Sequence, residues 1–132
     1  MPWHPEYEMG VIEIDDQHKH FVCIINDLND AIEIGTEDVI LGDILRELFA
    51  YAEFHFATEE KYFDQFNYEF TEEHKKQHQD LRDGINRFLV TYDENVKDNS
   101  LKLMAFLKKW FKEHTQGHDR KYVECFHEHG LK

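Results

Sequence analysis

Cysteine is nearly missing from this chain of 132 residues, with only Cys23 and Cys125 present. Neither stands in a CxxC or Cys/His spacing, which argues against a zinc site built on sulfur. No feature supports a disulfide between them, and two idle thiols fit a reducing compartment. Proline is equally scarce: Pro2 and Pro5 both fall in the first 14 residues, which read as an extended arm carrying Trp3 and Tyr7. No run approaches the roughly 18 apolar residues of a membrane span. The start, Met1-Pro2-Trp3-His4-Pro5, lacks the basic and apolar stretches of a secretory signal, so a cytoplasmic location is expected. Positive charge is in short supply, with 15 Lys and Arg against 28 Asp and Glu and a net charge of -13. Nucleic acid and anionic membrane would be repelled by it and are excluded as partners.

Strand alternation is missing too, and helical periodicity takes its place. A chain of this length is most simply one domain, residues 1–132, able to bury a core without disulfides. Asp15 or Asp16 can cap a first helix that Gly35 stops, with Phe21, Ile24, Ile25, Leu28 and Ile32 on one face. Thr36 offers the cap of a second helix to about Gln65, and its stripe Ile40, Ile44, Leu48, Tyr51 runs directly into His55 and Glu59. Thr71 caps a third to about Tyr92, and Ser100 a fourth bearing Leu103, Leu107, Trp110 and His114. Gly117 interrupts that helix, and a short one can follow from about Asp119 to His129. Long helices with short connections predict an all-α, up-down-up-down antiparallel four-helix bundle, with the N-terminal arm and a short C-terminal helix.

The polar residues on those apolar stripes carry the chemistry. His55 and Glu59, and likewise His74 and His78, are four apart and project from one helix face. His18 on the first helix and His114 on the fourth add two imidazoles. Buried singly, such groups would carry a heavy desolvation cost, which a shared metal site converts into coordination. Nitrogen and carboxylate donors in this ratio suit a borderline transition metal such as iron, and their number suits two ions. His114 has two candidate companions. His118 lies one turn on; Asp119, five residues on, would be rotated by roughly 140° on an ideal helix and needs a backbone break near Gly117. A metal pair needs bridging anions, which favours Asp119, although spacing alone leaves His118 open. His4, His20, His127 and His129 read as surface residues.

These stretches resemble the hemerythrin family, in its single-domain bacteriohemerythrin form. The matching residues are Ile14-Asp15-Asp16-Gln17-His18-Lys19, His55-Phe56-Ala57-Thr58-Glu59-Glu60, His74-Lys75-Lys76-Gln77-His78, and Trp110-Phe111-Lys112-Glu113-His114 through Asp119 and Tyr122. The resemblance implies two non-heme irons, one held by His74, His78 and His114, the other by His18 and His55 with a coordination position open. It implies that Glu59 and Asp119 bridge them together with an oxo or hydroxo group. By the same resemblance the protein is no enzyme but a reversible O2 carrier, store or scavenger, binding O2 as hydroperoxide at the open position. Its partners would be O2 and an oxygen-consuming enzyme, and it would be a monomer or weak oligomer.

The residues agree with that implication. Five neutral imidazoles and two carboxylates leave a diferrous pair cationic, which favours reversible electron transfer over O–O cleavage. Phe21, Phe56, Trp110 and Phe111 lie within a turn or so of the donors and can wall the open position. Thr115 stands where the family commonly has an aliphatic residue, and its hydroxyl would matter if it faced that wall. Phe63 replaces a usual Met and Glu73 a usual Pro, both expected to stay clear of the ligands. The rival readings are a diiron oxidase, peroxidase or nitric-oxide reductase, and an oxygen or redox sensor. Ferritin-like oxidases use paired Glu-x-x-His motifs. Here only Glu124-Cys125-Phe126-His127 has that spacing.

Overall fold

A computed structural model describes residues 2–91 and 94–132, with the side chains of Gln116, His118 and Asp119 outside that description. A single 3-10 turn at Pro5–Tyr7 interrupts the otherwise extended arm. Helix α1 spans Ile12–Ile34, α2 Glu37–Phe66, α3 Thr71–Thr91 and α4 Val96–Glu113. A π turn, His114–Asp119, leads into α5, Arg120–Glu128. The first four helices form the four-helix bundle and α5 is the short C-terminal helix. No helix among the described residues is long and apolar enough to cross a membrane.

Two helix starts differ from the sequence expectation. Asp15 does not cap α1; its carboxylate accepts from the backbone N–H of Met9 at 2.7 Å and of Gly10 at 3.2 Å, and the helix begins three residues earlier. Those bonds satisfy the turn ahead of the helix, a task that leaves Val11 as the N-cap. Ser100 likewise does not cap α4 but lies buried inside it, and Asn95 is the N-cap. Val96 packs on the core and so draws the helix out by a turn through a stretch of Asp and Asn. The ends were better marked. Gly35, at φ 88°, closes α1, and Asn67, at φ 52°, closes α2 in the left-handed region that a short polar side chain tolerates. The expected last residue of α3, Tyr92, lies outside the described residues.

Helix α1 packs against α2 and α4, α2 also against α3 and α4, and α5 against α2 and the π turn. Two apolar clusters fill the interior. The larger holds Phe21, Leu28, Leu45, Leu48, Phe56, Ile85, Leu107 and Phe111. The smaller holds Met9, Ile14, Phe63, Tyr68, Tyr122 and Phe126. Along α1, His18 falls between Ile14 of one cluster and Phe21 of the other; along α2, Glu59 falls between Phe56 and Phe63. The polar donors therefore form a layer between two dry ones.

Phe126 fastens α5 across one side of that layer. It is fully buried, with ring centroids 4.4 Å from Tyr122 and 5.6 Å from Tyr62 and Phe66. Phe126→Ala should cost about 3–5 kcal/mol. The loss is read as a lower urea midpoint, with α5 amides exchanging before those of α1 and α2. Uniform exchange across all helices would show instead that α5 is no separable unit.

Candidate metal centre

Helix α2 supplies the centre of the site, because its one-turn spacing sets His55 and Glu59 on the same inward face. Glu59 is fully buried, and His18, His55, His74, His78 and His114 are buried around it. Their donor atoms fall into two groups, one of Glu59, His74, His78 and His114, the other of His18, His55 and Glu59. Within each group these atoms lie within 4.8 Å of one another, and Glu59 belongs to both. Its Oε1 lies 3.1 Å from His55 Nε2, 3.0 Å from His78 Nε2 and 3.7 Å from His74 Nε2. Its other oxygen, Oε2, is buried with no hydrogen-bond partner among the described residues.

An unpartnered carboxylate oxygen in a dry interior is costly unless a cation stands against it. Burial by itself would push the Glu59 carboxyl up. The neighbouring His55 and the polar contacts of His55, His74 and His78 outweigh it and hold the group well below the usual carboxylate range. The site thus has an ionised carboxylate ringed by imidazoles, a donor set that fits a borderline transition metal. Asp119, the other expected carboxylate, and its rival His118 have side chains outside the described residues. The break expected near Gly117 is present as the π turn, whose i→i+5 hydrogen bonds widen the helix at this point.

Aromatic rings close around the donors. Phe56 stacks on His78 at 3.8 Å between centroids and Trp110 on His114 at 4.3 Å. Phe111 meets His18 edge-on at 5.7 Å and stacks on Phe21 at 5.3 Å. Phe63 was expected to stay clear of the ligands, yet its ring packs edge-on against His74 at 4.7 Å. Glu73 does stay clear, 3.8 Å from Lys121 on the surface. Thr115 is buried, and its hydroxyl donates to the Phe111 carbonyl at 2.7 Å. It thereby satisfies the helix where the α ladder gives way to the π turn.

Four histidines are left out, as their positions suggested. His4, His20 and His129 are exposed, His20 lying 3.5 Å from Glu47. His127, the end of the Glu-x-x-His motif, bonds the Gly10 carbonyl at 2.9 Å, away from the donor layer.

The groups behind the donors are not marked by helical period. Gln17 Oε1 lies 2.5 Å from His55 Nδ1, and Gln17 Nε2 donates to Thr58 Oγ1 at 3.1 Å. Tyr51 donates its hydroxyl to the Gln17 backbone carbonyl at 2.7 Å and stacks on His55. Across the site, Glu60 Oε2 lies 3.2 Å from His78 Nδ1 and 3.7 Å from Arg82. Burial opposes the charge of Glu60, but His78, Arg82 and Lys75 together pull its carboxyl below the ordinary value. The available signal was adjacency: Gln17 precedes His18, and Thr58 and Glu60 flank Glu59.

Comparison with known proteins agrees with this geometry. The family model described as the hemerythrin HHE cation binding domain matches residues 9–126. A bacteriohemerythrin of Pseudomonas aeruginosa is 32% identical over 125 residues, covering 93% of this chain and 79% of the relative. One from Clostridium acetobutylicum is 31% identical over 127 residues, covering 92% and 98%. A hemerythrin-like protein of Naegleria gruberi is 28% identical over 120 residues, covering 91% and 88%.

Proposed function

This chain belongs to the hemerythrin HHE cation-binding family, and from that premise we propose that it binds O2 reversibly at a pair of non-heme iron ions. The observation that carries the proposal is the sharing of Glu59 by two donor groups, which suits one carboxylate spanning two ions. His74, His78 and His114 would hold one ion, and His18 and His55 the other, with Glu59 common to both groups. Asp119, at the end of the π turn that begins at His114, would supply the second carboxylate. The whole chain, residues 1–132, acts as one diiron domain. When bound, ferrous iron supplies the electrons that O2 takes up and gives back.

The remaining work falls to the protein. Phe21, Phe56, Trp110 and Phe111 keep water from the donor layer and offer no acidic proton, which disfavours release of reduced oxygen. The Thr115 hydroxyl donates to the Phe111 carbonyl and that of Tyr51 to the Gln17 backbone carbonyl, so neither proton is turned toward the donor layer.

Anaerobic reconstitution with Fe(II) should give two irons per chain. Admission of O2 should produce a visible charge-transfer band that fades under argon and returns with O2. A single irreversible change to a diferric spectrum would replace this function with oxidase or sensor chemistry. A limit of one iron per chain would overturn the ligand assignment itself.

A further inference from the structure

We propose that Gln17 is a positioning residue for the two-histidine side of the centre, dictating through Thr58 which nitrogen of His55 is presented to the metal. The proposal rests on the reading of His55 as a ligand. Which end of a glutamine amide is oxygen, and which imidazole nitrogen bears hydrogen, follow from the network around them. Here the network begins at a helix carbonyl. The single hydroxyl hydrogen of Thr58 goes to the Phe54 carbonyl at 3.1 Å, one turn back in α2. Thr58 Oγ1 can then only accept, so the group facing it at 3.1 Å is the NH2 of Gln17. That turns the amide oxygen toward His55, 2.5 Å from Nδ1, and a carbonyl oxygen can only accept. Nδ1 therefore carries the hydrogen, and in the neutral ring the lone pair belongs to Nε2.

Nε2 is the nitrogen that points inward, 3.1 Å from Glu59 Oε1. A neutral imidazole so fixed sets an acceptor against a carboxylate, an arrangement that a cation between them reconciles. Two further contacts keep the relay in register: Tyr51 holds the Gln17 carbonyl, and its ring stacks on His55. The opposite side is built differently. His78 Nδ1 is backed by Glu60, a carboxylate in reach of Arg82. An anionic partner raises imidazole basicity more than an amide does. The two halves of the centre thus receive unequal donors, and the three-histidine half fills first.

Zn2+, diamagnetic and indifferent to O2, is the probe. The wild-type protein should bind two Zn2+ in separable steps, and its 15N spectrum should show a slowly exchanging hydrogen on His55 Nδ1. Gln17→Leu should weaken the second step by about 10–100-fold while leaving the first unchanged. Thr58→Val, nearly isosteric, releases the amide to turn over and should weaken the same step less, with loss of the protected hydrogen. Gln17→Glu keeps an acceptor on Nδ1 and should restore or tighten the step, which a purely structural role for Gln17 does not predict. Unchanged affinities in Gln17→Leu and Thr58→Val, or hydrogen on Nε2 of His55, overturn the proposal alone. Absence of Zn2+ binding in the wild type overturns the ligand assignment as well.

Discussion

Glu59→Gln is expected to strip the protein of both metal ions. Each of the five imidazoles belongs to one donor group, but the Glu59 carboxylate belongs to both, so its loss reaches both ions. Outer partners of metal ligands are worth roughly 10–100-fold in affinity. Removal of a shared anionic ligand should exceed that for each ion. His18→Ala is the informative contrast, because it leaves Glu59, His74, His78 and His114 together. It should keep about one ion per chain on the general count that one intact site holds one ion. Metal-free Glu59→Gln should remain folded, since a neutral amide among neutral imidazoles demands no counter-charge. Metal analysis after gel filtration, with circular dichroism as the control for folding, decides the matter. Two ions per chain retained in Glu59→Gln would show that the carboxylate is not the shared ligand.

Removal of the metal should cost the protein more stability than any surface substitution. A site occupied at about 1,000 times its dissociation constant contributes about 4 kcal/mol by mass action. For a chain of this size that corresponds to a fall of roughly 12–20 °C in Tm on chelation. The gap should depend on pH with a definite sign. Ligand imidazoles must be neutral, so proton competition narrows the gap as pH falls below about 6.5. In the metal-free protein, Glu59 and Glu60 act in the same direction but lower on the scale. Their folded-state pKa values lie below the unfolded ones despite burial, owing to the histidines and, for Glu60, Arg82 and Lys75. Their contribution is complete above the ordinary carboxylate range and is lost as pH falls through the depressed values. Calorimetry of chelated and metal-loaded protein between pH 8 and pH 4 measures both effects. A gap constant from pH 8 to pH 5 would mean that the imidazoles are not ligands.

Most of the centre was legible before any coordinates, and the reason is geometric. His55 with Glu59 and His74 with His78 share helix faces because four residues make about one turn, and those faces continue the apolar stripes of α2 and α3. Where the stripe is buried, the donors on it are buried too, which brought all five imidazoles and Glu59 into one layer. Gly35 and the polar residues between the helices marked the connections, and short connections imposed the antiparallel order. The helix starts were less legible. Asp15 is as good a cap as any by type, but its carboxylate was taken by the turn at Met9 and Gly10. Val96, a single apolar residue in a polar stretch, extended α4 only because the core was there to receive it.

The sequence by itself therefore determined the bundle and the gathering of imidazoles around Glu59, which follow from helical period and residue type, and its motifs carried the resemblance to the family. The tertiary structure decided what stands behind each donor. Gln17 meets His55 across 38 residues of sequence and Thr58 across 41, and Glu60 meets His78 across 18. It also brought the Phe63 ring onto His74. Local spacing fixes which face of a helix a residue occupies. Pairing across helices depends on their axial register, which is set only when the apolar layers above and below the site pack together.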